Sequence, residues 1–453
     1  MPAPTPSPFA PTRITVIGCG YLGAVHAAAM AVIGHDVVGF DVDADKTAAL
    51  GRAEATFFEP GLDGLLTEAL ATGRLRFTTS YAEAAEHGDV HFLCVGTPQL
   101  PDSNAADVSY VDAAVEGIAP LLTRACLVVG KSTVPVGTAE RVRDRLVELA
   151  PAGAGVHLAW SPEFTREGFA VHDALEPDRV VVGVDDPADA DRLAAVLAPV
   201  LEHGMPYVVV DLATAQLVKN AANAFLATKI SFINAMAELC EATGADVVAL
   251  ADALGHDARI GRRFLQAGVG FGGGCLPKDL RGFMARAEEL GVDQALAFLR
   301  EVDAINLRRR RRAVELTLDL LGGAVDGARV AVLGAAFKPD SDDIRDSPAL
   351  DVATALHELG AQVRVSDPKA LDNARATRPA LTYVDDPVEA CRDADVVLHL
   401  TEWKAYRELD PVGLGAVVAH RRLLDGRNAL DAAAFVAAGW DVRALGRPNV
   451  NVR

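Results

Sequence analysis

The chain has 453 residues, 50% of them apolar and 23% charged, with a formal net charge of −19. That length exceeds what one hydrophobic core organises, so two or three domains are expected. The charge argues against nucleic acid or an anionic membrane surface as partner, and an anionic substrate would have to be held by a few locally placed lysines and arginines.

The opening "MPAPTPSPFAPTR" has five prolines in eleven residues and no apolar run, which predicts a disordered leader and not a signal peptide. No stretch approaches the roughly 18 apolar residues that span a bilayer. Six cysteines, at 19, 94, 126, 240, 275 and 391, form no CxxC pair and no His/Cys cluster at metal-ligand spacing. The pattern predicts a reducing, cytoplasmic setting and no metal site.

"RITVIGCGYLGAVHAAAMAVIGHDVVGFDVDADK" reads as a strand from Ile14 to Ile17, a glycine turn, a small-residue helix from Ala24 to Ile33, and a strand from Val37 to Phe40. Gly18, Gly20 and Gly23 give G-x-G-x-x-G, and Asp41 follows about 20 residues on. Strand, helix and acid together form the dinucleotide-binding fingerprint. The glycines admit a pyrophosphate at the helix N-terminus, and Asp41 would accept the ribose hydroxyls, favouring NAD over NADP. "DVHFLCVGTP" and "ACLVVGKSTVPVGT" each run from an apolar strand into a turn. In a parallel sheet such turns line the ligand crevice, making Gly96, Thr97, Pro98, Ser132 and Thr133 cofactor candidates; as bare turn residues they need no ligand.

In "WSPEFTREG", Glu163 and Glu167 are four apart, so a helical turn would put them on one face, fitting either a solvated surface or site chemistry. One long helix is expected from Thr214 to Thr243, its apolar Leu217, Ala221, Ala224, Phe225, Phe232, Met236 and Leu239 at helical spacing. Lys219, Asn223 and Asn234 are expected among that stripe. Lys219 and Asn223 form an i,i+4 pair that can address a single spot, though a lysine snorkelling from a core helix would look the same. "VGFGGGCLPKDL" then sets Cys275 at the end of the most glycine-dense loop, beside Lys278 and Asp279. A buried small residue and a nucleophile both fit that cysteine. The basic cluster from Arg308 to Arg312 is expected to be a solvated helix face. From Arg329 a second strand–turn–helix–strand unit begins, completed by "ADVVLHLTEW" and "RRLLDGRNAL".

The segments "GCGYLG", "STVPVGT", "SPEFTREG", "KNAANAFLATKISFINAMAELCEATGADV", "DARIGRRFLQAGVGFGGGCLPKD", "GAAFKPDSDDIRDSPAL" and "DGRN" resemble, in order and over nearly the whole chain, the UDP-glucose 6-dehydrogenases within the UDP-glucose/GDP-mannose dehydrogenase family. Three positions depart from the family's habit: Gly274 for Ser, Leu276 for Phe, and Gln216 for Glu.

The resemblance implies a four-electron oxidation of a sugar C6 alcohol to a carboxylate with two NAD, through a thiohemiacetal and thioester on Cys275. By similarity Asp279 orders or deprotonates water, Lys219 and Asn223 stabilise the oxyanion, and Glu163 and Thr133 order the hydrolytic water. NAD would be held by Gly18, Gly20, Tyr21, Leu22, Gly23, Asp41, Lys46, Gly96, Thr97, Pro98, Ser132, Thr133, Glu167, Lys278 and Arg345. The nucleotide sugar, UDP-glucose by this likeness, would meet Glu163, Phe164, Lys219, Asn223, Arg259, the loop from Gln266 through Phe271 to Gly272, Phe337, Lys338 and Arg427. Arg259 is expected to reach a neighbouring copy, since a homodimer or higher homo-oligomer is implied.

The expected architecture is α/β: two doubly wound Rossmann-like domains joined by a central long-helix domain. Their expected bounds are 12–210 for NAD binding, 211–317 for the helical dimerisation segment and 318–453 for nucleotide-sugar binding. A two-electron dehydrogenase has no use for Cys275, and a redox sensor leaves Lys219, Asn223 and Glu163 unexplained. GDP-mannose or a UDP-N-acetylhexosamine is the alternative substrate.

Overall fold

The computed structural model describes residues 9–448, so most of the proline-rich leader lies outside the described residues. Strands β1 (Arg13–Ile17), β2 (Asp36–Phe40), β3 (Leu75–Thr78), β4 (Val90–Leu93), β5 (Cys126–Gly130), β6 (Val156–Trp160), β7 (Val180–Val184) and β8 (Tyr207–Val210) form one sheet. Its order is β3-β2-β1-β4-β5-β6-β7-β8, with every neighbouring pair parallel except β6 with β7. Parallel strands covered on both faces must be apolar almost throughout. Accordingly Ile14, Val16 and Ile17 of β1 and Phe92 and Leu93 of β4 are buried. The helix Tyr21–Val32 packs down on this sheet because its buried residues are mostly alanine.

A second sheet holds β9 (Arg329–Leu333), β10 (Gln362–Ser366), β11 (Thr382–Tyr383), β12 (Val396–His399), β13 (Arg422–Asp425) and β14 (Asp441–Ala444). Its order is β11-β10-β9-β12-β13-β14, all parallel. No strand falls between β8 and β9; that stretch is helical, led by the long helix Leu212–Thr243. The chain divides into two compact units, one running to Ala222 and including Arg281–Arg286, the other holding Asn223–Leu280 and the chain from Ala287 onward.

Three expectations are corrected. The large apolar side chains of the expected stripe face outward: Leu217, Phe225, Phe232 and Leu239 are exposed, while Ala224 and Ile233 are buried together with Lys219, Asn220, Asn223 and Asn234. The polar residues therefore occupy the opposite face, not the apolar stripe. Within the basic cluster Arg309 and Arg310 are buried, not solvated. Burial demands pairing: Arg309 meets Glu241 at 2.9 Å, and Arg310 pairs with Asp346 and Asp351. Finally, Glu163 and Glu167 do not share a helical turn, because residues 161–166 are irregular and the next helix starts at Ala170.

Candidate active site

The three glycines after β1 each meet a different demand. Gly18 takes φ +90, and a Cβ there would lie 2.9 Å from the Val95 side chain. A Cβ on Gly23 would come within 1.8 Å of the Gly18 carbonyl oxygen, so the helix seats on the turn only because the side chain is absent. Gly20 is different: a Cβ there meets nothing within 4 Å, and neither does one at Gly96. These two positions open onto space, as a pyrophosphate approaching the helix N-terminus requires.

Beyond β2, buried Asp41 accepts the Cys19 amide at 2.9 Å and pairs with Lys46 at 3.0 Å. Past β4 and β5, Thr97 donates to the Thr133 carbonyl at 2.7 Å and Ser132 to the Val95 carbonyl at 2.7 Å, tying the two turns together. Pro98 accepts the Asp107 amide at 2.7 Å, fixing the loop that follows. The residues thus fit a dinucleotide.

The second sheet carries the same turn in a form that does not. After β9, Gly334 takes φ +126, but Ala336 stands where the first fold has Gly20. Asp367, the counterpart of Asp41, is consumed by the Ala335 and Ala336 amides at 2.8 and 3.0 Å and by the Trp403 indole at 3.1 Å.

In the first unit, Glu163 is clamped. One carboxylate oxygen accepts the amides of Phe164 and Thr165 at 2.7 and 2.9 Å, and the other pairs with Lys131 at 3.0 Å. Burial pushes this carboxyl up, but Lys131 and the hydrogen bonds outweigh it and hold it at about 2. Phe164 lies between two cations, the Arg179 guanidinium 3.9 Å and the Lys219 ammonium 5.4 Å from its ring centroid. One turn earlier on the long helix, Gln216 donates to Glu140 and Leu212 and accepts the Ala139 amide, so this departure from the family serves the scaffold.

Sequence reasoning missed Glu59 in "FFEPGL". It is buried and accepts the Tyr21 hydroxyl and the amides of Gly168 and Ala170, anchoring the segment with Glu163 and Glu167 to the start of the first helix. Burial and Glu59 together keep the Tyr21 phenol protonated as donor. A buried acid in an apolar stretch was the only sequence signal.

In the second unit the glycine loop is fixed. Gly268 donates to Asn234 at 2.9 Å, and the Asn306 side chain accepts from the Phe271 amide and donates to its carbonyl at 2.7 and 3.0 Å. Cβ atoms at Gly268 and Gly272 would lie 2.6 and 2.3 Å from the carbonyl oxygens of Gly426 and Asp346. The glycines are there for close approach, not mobility. At Gly274 a Cβ would meet only the flexible end of Arg345, at 2.1 Å, so backbone packing does not explain the lack of a serine there.

Cys275 follows, exposed, whereas the other five cysteines are buried. It immediately precedes the helix Leu276–Glu289, whose dipole favours an anion at that end. In the first turn Asp279 is buried, its oxygens 2.6 Å from the Asn223 amide nitrogen and 2.6 Å from the Lys278 ammonium.

A cavity of about 860 Å³ is lined by Arg262, Phe271, Phe337, Lys338, Glu402 and Arg427, among others. Arg427 binds the carbonyls of Leu400, Gly270 and Phe337 at 2.7, 2.9 and 3.0 Å and meets Glu402 at 3.3 Å. Much of its capacity is thus spent shaping the wall, and Lys338 and Arg262 supply further positive charge. Arg345 is paired with Asp343, and Arg259, outside the lining residues, is 89% exposed and paired with Asp257.

A dinucleotide-binding turn in one α/β fold, and a walled cavity with an exposed thiol in the unit built on another, define an NAD-dependent oxidoreductase. The chain belongs to the UDP-glucose/GDP-mannose dehydrogenase family. It matches that family's NAD binding domain over residues 12–201, its central domain over 213–308 and its UDP binding domain over 331–432. A UDP-glucose 6-dehydrogenase of Rhizobium meliloti (strain 1021) is 41% identical over 439 residues, 96% of this chain and 100% of that one. A UDP-glucose dehydrogenase structure from Pyrobaculum islandicum is 40% identical with a TM-score of 0.88, covering 95% of this chain and 98% of its own. A UDP-D-ManNAc dehydrogenase structure from Pyrococcus horikoshii is 27% identical with a TM-score of 0.85, covering 97% and 100%.

Proposed function

We propose that the protein oxidises C6 of UDP-glucose to the carboxylate of UDP-glucuronate, through a covalent intermediate on Cys275. The observation that carries this reading is the one exposed thiol, set at the end of a fixed glycine loop and ahead of a helix whose first turn holds Asp279. NAD, when bound, accepts a hydride in each of two oxidations. The remaining steps fall to the chain. Asp279 takes the C6 hydroxyl proton through a water as the alcohol becomes an aldehyde. The Cys275 thiolate adds to that aldehyde, forming the C–S bond of a thiohemiacetal, with Lys219 and Asn223 stabilising the oxyanion. Loss of the second hydride gives a thioester. Water then attacks its carbonyl, the C–S bond breaks, and thiolate and carboxylate leave; Glu163 and Thr133 order that water. The balance is one alcohol, two NAD+ and one water to one carboxylate, two NADH and three protons.

Gly18, Gly20, Tyr21, Leu22, Gly23, Asp41, Lys46, Gly96, Thr97, Pro98, Ser132, Glu167, Lys278 and Arg345 are assigned to NAD. The sugar nucleotide is assigned to Phe164, Phe271, Gly272, Phe337, Lys338 and Arg427. Cations in the cavity wall suit a diphosphate in a chain of net charge −19. The protein works as a homodimer, in which Arg259 reaches the second copy. No helix among the described residues is long and apolar enough to cross a membrane, and the thiol needs a reducing compartment, as the cytoplasm provides.

A second reading, a UDP-N-acetylhexosamine substrate, is favoured by the likeness to the Pyrococcus horikoshii enzyme. Screening nucleotide sugars for NADH formation separates the two. UDP-glucose should give two NADH per sugar with no released aldehyde; greater kcat/KM with an N-acetylated sugar would overturn the primary reading.

A further inference from the structure

Glu163 is assigned to the water that hydrolyses the thioester, yet its surroundings are those of an anchored carboxylate, not a proton acceptor. A carboxylate offers about four lone-pair sites. Here the amides of Phe164 and Thr165 occupy one oxygen, and Lys131 the other at 3.0 Å. The Thr165 side chain bonds the carboxylate as well, so Glu163 is held from several sides. The pair is sheltered, with side-chain exposures of 12% for Lys131 and 21% for Glu163. Lys131 projects from the segment just after β5 and Glu163 from the segment after β6, so their contact spans neighbouring strand ends.

Two further titratable groups act on the pair. His26, buried on the first helix, has an Nε2 without a hydrogen-bond partner among the described residues. Burial and Lys131 hold it neutral, its pKa down at about 3. Cys94, just past β4, is buried, and burial pushes its thiol up to about 12. Neither carries charge at neutral pH, so Lys131 is the cation opposing Glu163.

We propose that Lys131 is a positioning residue for thioester hydrolysis, fixing Glu163 as a charged acceptor that orients the attacking water. In that step the water oxygen bonds to the thioester carbon, the C–S bond breaks with its electron pair left on the Cys275 sulfur, and the water proton passes to Asp279, the residue assigned to deprotonating water. Without Lys131 the main cation opposing burial is gone while the hydrogen bonds remain, so Glu163 gains a proton at higher pH than in wild type and loses its acceptor role as the pH falls.

The proposal rests on the Cys275 thioester reading, and the experiment separates the two. Rapid-mixing measurements of the NADH burst, steady-state turnover and intact-mass analysis of the acyl-enzyme are made with UDP-glucose on Lys131→Met, Lys131→Arg, Glu163→Gln and the Lys131→Met/Glu163→Gln double variant. Lys131→Met should keep a burst of two NADH per site and accumulate acyl-enzyme. Its hydrolysis should slow on the order of 100-fold and fall off on acidification at higher pH than in wild type. Lys131→Arg should restore most of the rate. In the Glu163→Gln background Lys131→Met should cause no further slowing; this comparison holds even where Lys131→Met alone does not fold, because the double variant leaves no buried charge unpaired. Unchanged hydrolysis in Lys131→Met, a first hydride slowed as much as hydrolysis, or further slowing in the Glu163→Gln background would each overturn it. Absence of any acyl-enzyme in wild type and every variant, with two NADH still formed, would instead sink the thioester reading.

Discussion

In the proposed mechanism the chemistry at Cys275 depends on sulfur. Water is a poor nucleophile toward an aldehyde at neutral pH, whereas a thiolate at a helix N-terminus attacks it and leaves again from a thioester. Cys275→Ala should therefore abolish production of two NADH per sugar while NAD affinity, measured by calorimetry, stays near wild type. Turnover near wild type would refute the covalent route. Cys275→Ser keeps the shape but offers a hydroxyl of far higher pKa, and intact-mass analysis should catch a slowly hydrolysed ester there. At Asp41 the issue is charge beside a ribose. Asp41→Ala removes a charged acceptor worth about 1.5–3 kcal/mol and leaves Lys46, its partner at 3.0 Å, without its anion. NAD should bind more weakly and the preference over NADP should narrow; an unchanged preference ratio would show that Asp41 does not touch the ribose. Asp41 was singled out by the spacing of the dinucleotide fingerprint, and Cys275 by the resemblance, since its own loop left a buried small residue open; the structure finds that thiol exposed. Lys131, Glu59 and Asn306 were not singled out, because their importance lies in partners distant along the chain.

Among the elements, the strands and the long helix were read nearly to their ends, because alternation, glycine stops and helical spacing are local signals. Which way the long helix faces was not. A core helix is expected to bury its largest apolar side chains, but this one buries small and amide-bearing residues and presents Phe225 at 66% and Phe232 at 49% exposure. Asn220 donates to the Val134 carbonyl at 3.0 Å, and Asn234 accepts the Gly268 amide at 2.9 Å while its Nδ2 has no hydrogen-bond partner among the described residues. Arg309 and Arg310 were misread for a related reason, since sequence does not reveal acids across a helix–helix contact. An outward aromatic stripe fits a second copy of the chain. Phe225→Glu combined with Phe232→Glu should shift sedimentation from dimer to monomer, while far-ultraviolet circular dichroism stays unchanged. A double variant that still sediments as a dimer would place the interface elsewhere.

Across the whole molecule, two similar α/β folds serve unlike purposes, and a single side-chain carbon marks the difference. The first leaves Gly20 open, whereas the second sets Ala336 in the equivalent turn and spends Asp367 on its own backbone and Trp403. Calorimetric titration should accordingly saturate at one NAD per chain, and a second site of comparable affinity would contradict the assignment of the C-terminal fold. The outward stripe of the long helix also bears on how stability is measured. When a fold leaves apolar area for a partner to cover, the unfolding equilibrium becomes bimolecular in the folded direction and mass action enters. For a dimer that unfolds to separate chains, each tenfold dilution removes about 1.4 kcal/mol per dimer. For the proposed dimer the melting temperature is then a function of concentration, and a value measured in dilute assay buffer will lie below one measured at the concentrations used for calorimetry.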